Sequence, residues 1–163
     1  EAGTLKVFTN DRQGFFTARA VPSNLGNLAG LAIAELNNDS VLDLVVANNT
    51  GMITRLSHKD NDAGWDQSEL AKAADVGGPP RMWAADLDNN GGLDLVWGSN
   101  VLLSDENGKF TQLQTGLEQQ RLEGVADVNG DGRLDLLAIS TEGKPIRAIN
   151  TGSAPPSIIL ASQ

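Results

Sequence analysis

The side chains able to do chemistry in this 163-residue chain are oxygen donors, and they recur at one spacing. Asp127, Asn129, Asp131 and Asp135 hold the first, third, fifth and ninth places of Asp-Val-Asn-Gly-Asp-Gly-Arg-Leu-Asp. Alternate placement lets a curving backbone aim one side chain after another into the same space. A hard divalent cation suits such a set, above all Ca²⁺, which takes about six to eight oxygens from carboxylates, amides, carbonyls and water. The Arg133 carbonyl, at the seventh place, could add another oxygen. Gly132 falls where the chain must turn sharply, and glycine adopts positive φ without a steric penalty. Carboxylates packed this closely repel one another unless a cation sits among them.

The pattern occurs twice more. Asp86, Asp88, Asn90 and Asp94 form one copy, with Gly91 at the turn and the Gly92 carbonyl at the seventh place. Glu35, Asn37, Asp39 and Asp43 form the other, with Ser40 at the turn and the Val41 carbonyl at the seventh place. Each copy runs into an apolar stretch: Leu44-Val45-Val46, Leu95-Val96-Trp97 and Leu136-Leu137-Ala138. A single acidic, glycine-rich turn is most simply a solvated hairpin connection. Three with the same flanks are a repeat, and repetition favours metal binding. An EF-hand is excluded, because its twelfth position needs a bidentate Glu and these loops carry Val46, Trp97 or Ala138 there.

The loops need strands to hold them. Runs of alternating or continuous apolar residues predict strands over 4–10 and 15–21, joined by the turn Asp11-Arg12-Gln13-Gly14. Further strands are expected over 28–36, 42–47, 52–57, 81–85, 93–97, 101–104, 110–113, 121–126, 134–139 and 146–150. Residues 65–74 are ambiguous. Leu70-Ala71-Lys72-Ala73-Ala74 favours helix, whereas the repeat calls for an outer strand over 65–70, which is the reading adopted. Residues 158–160 form either a final strand or an ordered end against a neighbour.

The matching residues Asp43, Asp94 and Asp135 mark a repeat of four short strands, the period of a β-propeller blade. The first two strands match only the second half of a unit. The expected architecture is therefore all-β, about three and a half blades of four antiparallel strands in one segment: 1–22 a half blade, then blades over 23–77, 78–118 and 119–163. Propellers close with about four to eight blades. This segment either belongs to a longer chain or pairs with a second copy, as two copies would give seven blades.

Composition narrows the function. A formal charge of −9 argues against nucleic acid and against anionic membranes, and there is no long apolar run for membrane insertion. With no cysteine there is no disulfide or thiolate metal site. Glu1 is not a natural start, so the chain is expected to be trimmed. His58 is the sole histidine, precedes a polar turn, and reads as an exposed loop residue. There is no tyrosine and no nucleophile-elbow motif for a hydrolase. Trp83 and Trp97 flank the second loop on strands and read as packing residues within or between blades.

These loops and their flanking strands resemble the FG-GAP/VCBS repeat family, most of all its bacterial exported branch related to the ASPIC/UnbV and cartilage acidic protein group, and distantly the integrin α-chain propeller. The resemblance spans the Asn10-to-Phe15 hairpin to the strand after Asp135. It implies a propeller with a Ca²⁺ loop between the first two strands of each blade, and extracellular or periplasmic adhesion. The expected function is a non-catalytic module, with Ca²⁺ structural, that binds a protein or carbohydrate ligand. The alternatives are a segment of a propeller enzyme of the polysaccharide lyase or quinoprotein type, or a lectin.

Overall fold

The computed structural model describes residues 3–59, 64–73 and 81–152, and the backbone of 158–160. Every regular element among them is a β-strand. A hairpin opens the chain, β1 (Val7–Asn10) and β2 (Phe16–Arg19). Three four-stranded units follow. The first holds β3 (Leu28–Ala34), β4 (Asp43–Asn48), β5 (Met52–His58) and β6 (Trp65–Lys72). The second holds β7 (Met82–Ala85), β8 (Asp94–Trp97), β9 (Asn100–Ser104) and β10 (Phe110–Leu113). The third holds β11 (Arg121–Ala126), β12 (Asp135–Ile139), β13 (Pro145–Asn150) and β14 (Ile158–Leu160). Each unit is its own sheet, an antiparallel meander in chain order, and β1–β2 is a separate two-stranded sheet. The ambiguous stretch after Gly64 is strand, and β6 pairs with β5 from His58↔Trp65 to Met52↔Lys72, with a register shift at Leu70. Cross-strand pairing outweighs the helical propensity of Leu70-Ala71-Lys72.

The boundaries follow the chemistry of the loops. The strand expected over 28–36 stops at Ala34, because Glu35 begins to cap the amides of its own loop. The strand expected over 4–10 shortens to Val7–Asn10.

The three large sheets stack face to face. One apolar core lies between the first and second, with Ala32, Val45, Ile53, Met82, Leu95 and Trp97 among its residues. A second lies between the second and third, with Val96, Val101, Leu122, Leu136 and Ala148. Successive residues of a strand point to opposite faces. Val45 therefore enters the first core, while Val46 turns away to pack with Leu25 and Leu56 on the other face. Trp97 and Val96 divide between the first and second cores in the same way. This explains why the runs after the first two acidic loops are apolar at consecutive positions: β4 and β8 are covered on both sides, whereas on β12 Leu136 and Ala138 enter the second core and Leu137 stays half-buried on the other face.

The first strands of neighbouring sheets lie beside one another. Leu31 of β3 and Arg81 form a parallel bridge. Arg81 also donates to Glu123 of β11 at 2.8 Å, and Arg121 pairs with the same carboxylate. All three acidic loops join the first strand of a sheet to the second, so they occur at one topological place.

Candidate metal site

In each loop the first carboxylate folds back over the turn. Asp127 Oδ1 accepts the N–H groups of Gly130 (2.7 Å) and Asp131 (3.2 Å), and its Oδ2 accepts Gly132 N–H (2.9 Å). Asp86 accepts Asn90 N–H at 3.1 Å and Gly91 N–H at 2.9 Å. Glu35 Oε1 accepts the amides of Asn37, Asn38 and Asp39. These bonds hold Asp127 below the ordinary carboxylate range, the Gly132 amide being the main cause. Backbone amides thus supply part of the positive potential that the close acids need.

The ninth position does something else. Asp43, Asp94 and Asp135 are all buried. Asp94 Oδ2 accepts Leu87 N–H at 2.7 Å and its Oδ1 accepts Ser104 N–H at 2.7 Å. Asp135 repeats this with Val128 N–H (3.0 Å) and Asn150 N–H (2.8 Å). Asp43 takes Leu36 N–H at 3.3 Å, and the Ser57 hydroxyl donates to it at 2.6 Å. Each of these aspartates staples its loop to the third strand of the sheet. Burial raises the Asp94 pKa to about 6 against the lowering effect of the Ser104 and Leu87 amides.

The backbone turns at two places in every loop. The sixth residue has positive φ in all three: Ser40 (65°), Gly91 (87°) and Gly132 (82°). The fourth does so as well: Asn38 (62°), Asn89 (57°) and Gly130 (78°). Only the sixth was expected from the sequence. The fourth carried a signal too, since asparagine and glycine are the residues that most readily take the left-handed region.

The loops differ in how their acids are balanced. In the third, the Arg133 guanidinium reaches Asp131 Oδ2 at 2.5 Å and Nε donates to Asn150 O at 3.1 Å. In the first, Arg55 Nε lies 3.9 Å from Asp43. In the second, none of the ion pairs among the described residues reaches Asp86, Asp88 or Asp94. There one oxygen from each of these three acids lies within 4.8 Å of the others, a spacing that a single cation could bridge. The seventh residue, Gly92, sits close against β9, where an added Cβ would fall 2.6 Å from Ser104 Oγ. Asn90 Nδ2 ties the loop to Ser104 O at 2.7 Å. The donor set therefore fits a hard cation best in the second loop. The third, which has Asp131 at the fifth place where the second has Asn90 and so fits the calcium pattern more fully, already holds a cation of its own, the Arg133 guanidinium.

Asn129 and Asn37 turn their amide groups onto the fifth-position acids, Asp131 at 2.9 Å and Asp39 at 2.7 Å. In the first loop this leaves Asn37 Oδ1 buried without a hydrogen-bond partner. Val41 sits at the seventh place with its side chain half exposed. A cleft of about 320 Å³ separates the first loop from the second, lined by Glu35, Asn38, Asn90, Ser104, Glu106 and Phe110.

His58 is not the exposed loop residue expected from the sequence. It closes β5, lies 2.8 Å from the Arg19 guanidinium, and meets the Trp65 ring edge-on at 5.3 Å. Trp97 is buried in the first core, and Trp83 packs against the second. No protein-family model, curated protein or solved structure matches the chain.

Proposed function

We propose that this chain is a non-catalytic, Ca²⁺-stabilised binding module built as part of a β-propeller, each four-stranded sheet serving as a blade. The observation that carries the metal reading is the convergence of Asp86, Asp88 and Asp94 in a loop where no described arginine or lysine pairs with them. Ca²⁺ there would be held by those carboxylates, with Asn90 and the Gly92 carbonyl available to complete an oxygen set. Bound metal supplies positive charge to the loop and needs no reaction at the site. The chain's own residues fix the geometry: Asp94 anchors the loop to β9, and Asp86 shapes its turn. The first and third loops, each with an arginine on an acid, are weaker cation sites in this reading.

The setting whose millimolar Ca²⁺ suits weak loops of this kind is extracellular or periplasmic. The ligand class is a protein or a carbohydrate, recognised on the loop face, where sequence can vary without disturbing the core. Thermal unfolding in EDTA and in stepped Ca²⁺ tests the metal. A rise in melting temperature with Ca²⁺, not reproduced by Mg²⁺ and lost in Asp88→Ala, supports it. Superimposable curves in EDTA and millimolar Ca²⁺ would reduce the loops to ordinary turns.

A further inference from the structure

The first sheet carries an apolar face that its two neighbours have covered. Three positions are equivalent by register, each paired with the residue three past the buried aspartate: Leu31↔Val46, Met82↔Trp97 and Leu122↔Ala138. Met82 is 7% exposed and Leu122 3%, each buried in the core shared with the preceding sheet. Leu31 is 46% exposed. The residue before the aspartate tells the same story. Leu93 and Leu134 pack into those cores, whereas Leu42 stands exposed. Ile33, on the same face of β3 as Leu31, is exposed too, while its counterparts Ala84 and Val125 pack into the cores. The face is built like the other two and lacks only what lies over them.

What stands before the first sheet is half of a unit. The β1–β2 turn repeats the aspartate-centred bonds of the β9–β10 turn. Asp11 Oδ1 accepts the amides of Gln13 and Phe15 as Asp105 Oδ1 accepts those of Asn107 and Lys109. Asp11 N–H donates to Phe15 O as Asp105 N–H donates to Lys109 O, and Asn10↔Phe16 matches Ser104↔Phe110. The hairpin is thus a third and fourth strand. It lies over the outer half of the first sheet, with Trp65 Nε1 donating to Ala20 O at 2.8 Å and Arg19 against His58. Among the described residues β1 pairs only with β2, so its other edge is open. The residues leading into β1, Gly3, Leu5 and Lys6, wall a groove of about 370 Å³ together with Leu28, Gly30 and Leu31 of the first sheet.

We propose that this groove and the Leu31–Ile33–Leu42 face seat a strand–acidic loop–strand segment, which completes the β1–β2 sheet to four strands. The chemistry of the occupant follows from its copies. Its second strand adds to the open edge of β1 by main-chain hydrogen bonds, the mode of β-strand addition. Small alternating apolar residues, like Ala32, Ala34 and Val45 on the sheet that covers Met82, fill the space over Leu31 and Ile33. An aspartate opens that strand. In the matching register Ser104 N–H is taken by Asp94, and the Asn10 N–H points to the same open edge. A second copy of this chain does not meet the need, because it brings another outer hairpin and three complete sheets. The inference rests on sheet geometry and stands or falls apart from metal binding.

The test is a titration of the whole chain with a synthetic peptide of residues 121–139, a strand–loop–strand unit of the required pattern, followed by calorimetry and sedimentation. One peptide binds per chain. Leu31→Asp, at a position already half exposed, weakens binding about tenfold or more, or about 1.4 kcal/mol per factor of ten. Phe15→Ser, at an exposed turn outside the seat, leaves binding unchanged. A peptide carrying Asp135→Ala binds several-fold more weakly. No uptake of peptide by the monomeric chain overturns the proposal, as does binding indifferent to Leu31→Asp. A dimer that Leu31→Asp dissociates also overturns it, in favour of a second copy on this face. Each variant's melting curve in EDTA separates a lost seat from a lost fold.

Discussion

The second and third acidic loops are the same device with different counter-charges. Both fold their first carboxylate over the turn and bury their ninth as a staple to the third strand. They part at the seventh residue. Arg133 places a guanidinium on Asp131, whereas Gly92 has no side chain and leaves Asp86, Asp88 and Asp94 to converge. The loop whose sequence fits the calcium pattern most completely is thus the one least in need of an added cation. Counting acids is a poor guide to metal demand when a covalently attached cation can answer the same charge. The first loop makes the point again, with Arg55 arriving from β5, twelve residues beyond Asp43.

The largest effects test what the two loops share. Asp94→Ala leaves two buried amides without acceptors, and Asp135→Ala one buried and one half-buried; each should cost about 2–6 kcal/mol in urea unfolding with EDTA present. A small loss at either position would break the equivalence of the staples. The next test divides the loops. Ca²⁺ at one hundred times its Kd should stabilise the chain by about 2.7 kcal/mol per site. Asp88→Ala should remove that gain, and Asp131→Ala should leave most of it, as read by calorimetric titration. Arg133→Gln should then convert the third loop into a cation-requiring one. Its stability in EDTA should drop by up to about 1 kcal/mol, the scale of a partly exposed ion pair, and a further Ca²⁺ site should appear in the titration.

A subtler test uses pH. The folded Asp94 has its pKa near 6, against 3.8 for the ordinary carboxyl. Between those values the folded chain holds a proton that the unfolded chain has released. This group's contribution is therefore complete at low pH and is lost as pH rises through 6. In EDTA the chain should lose stability across that window, and Asp94→Asn should remove this component of the slope. A slope unchanged by the substitution would assign the effect to another group.

Much of this organisation is legible in the residues. Local signals announce the strands, because apolar runs bounded by glycine and acidic turns leave few other readings. The half unit at the start shows in the likeness of Asp11-Arg12-Gln13-Gly14 to Asp105-Glu106-Asn107-Gly108. Residues 65–74 resist, because local propensity favours helix while the deciding partner, β5, is a tertiary fact. The loops resist for the same reason. Oxygen spacing is local and readable, but Arg55 reaches Asp43 from the next strand, and the exposure of Leu31 depends on what lies over β3. His58 shows the limit as well, since Arg19 and Trp65 meet it only after folding.

Trp97 gives the stack a built-in lamp. Its indole is 1% exposed, lies between the first two sheets, and donates through Nε1 to Ala29 O at 3.3 Å. Gly30 makes room for it, since a Cβ there would fall 2.7 Å from that nitrogen. The chain's other two tryptophans, Trp65 and Trp83, are only partly buried. A blue-shifted emission component shielded from quenchers therefore belongs to Trp97. Its red shift would time the moment at which one sheet parts from the next, a seam whose opening can be watched in the native chain without any added label.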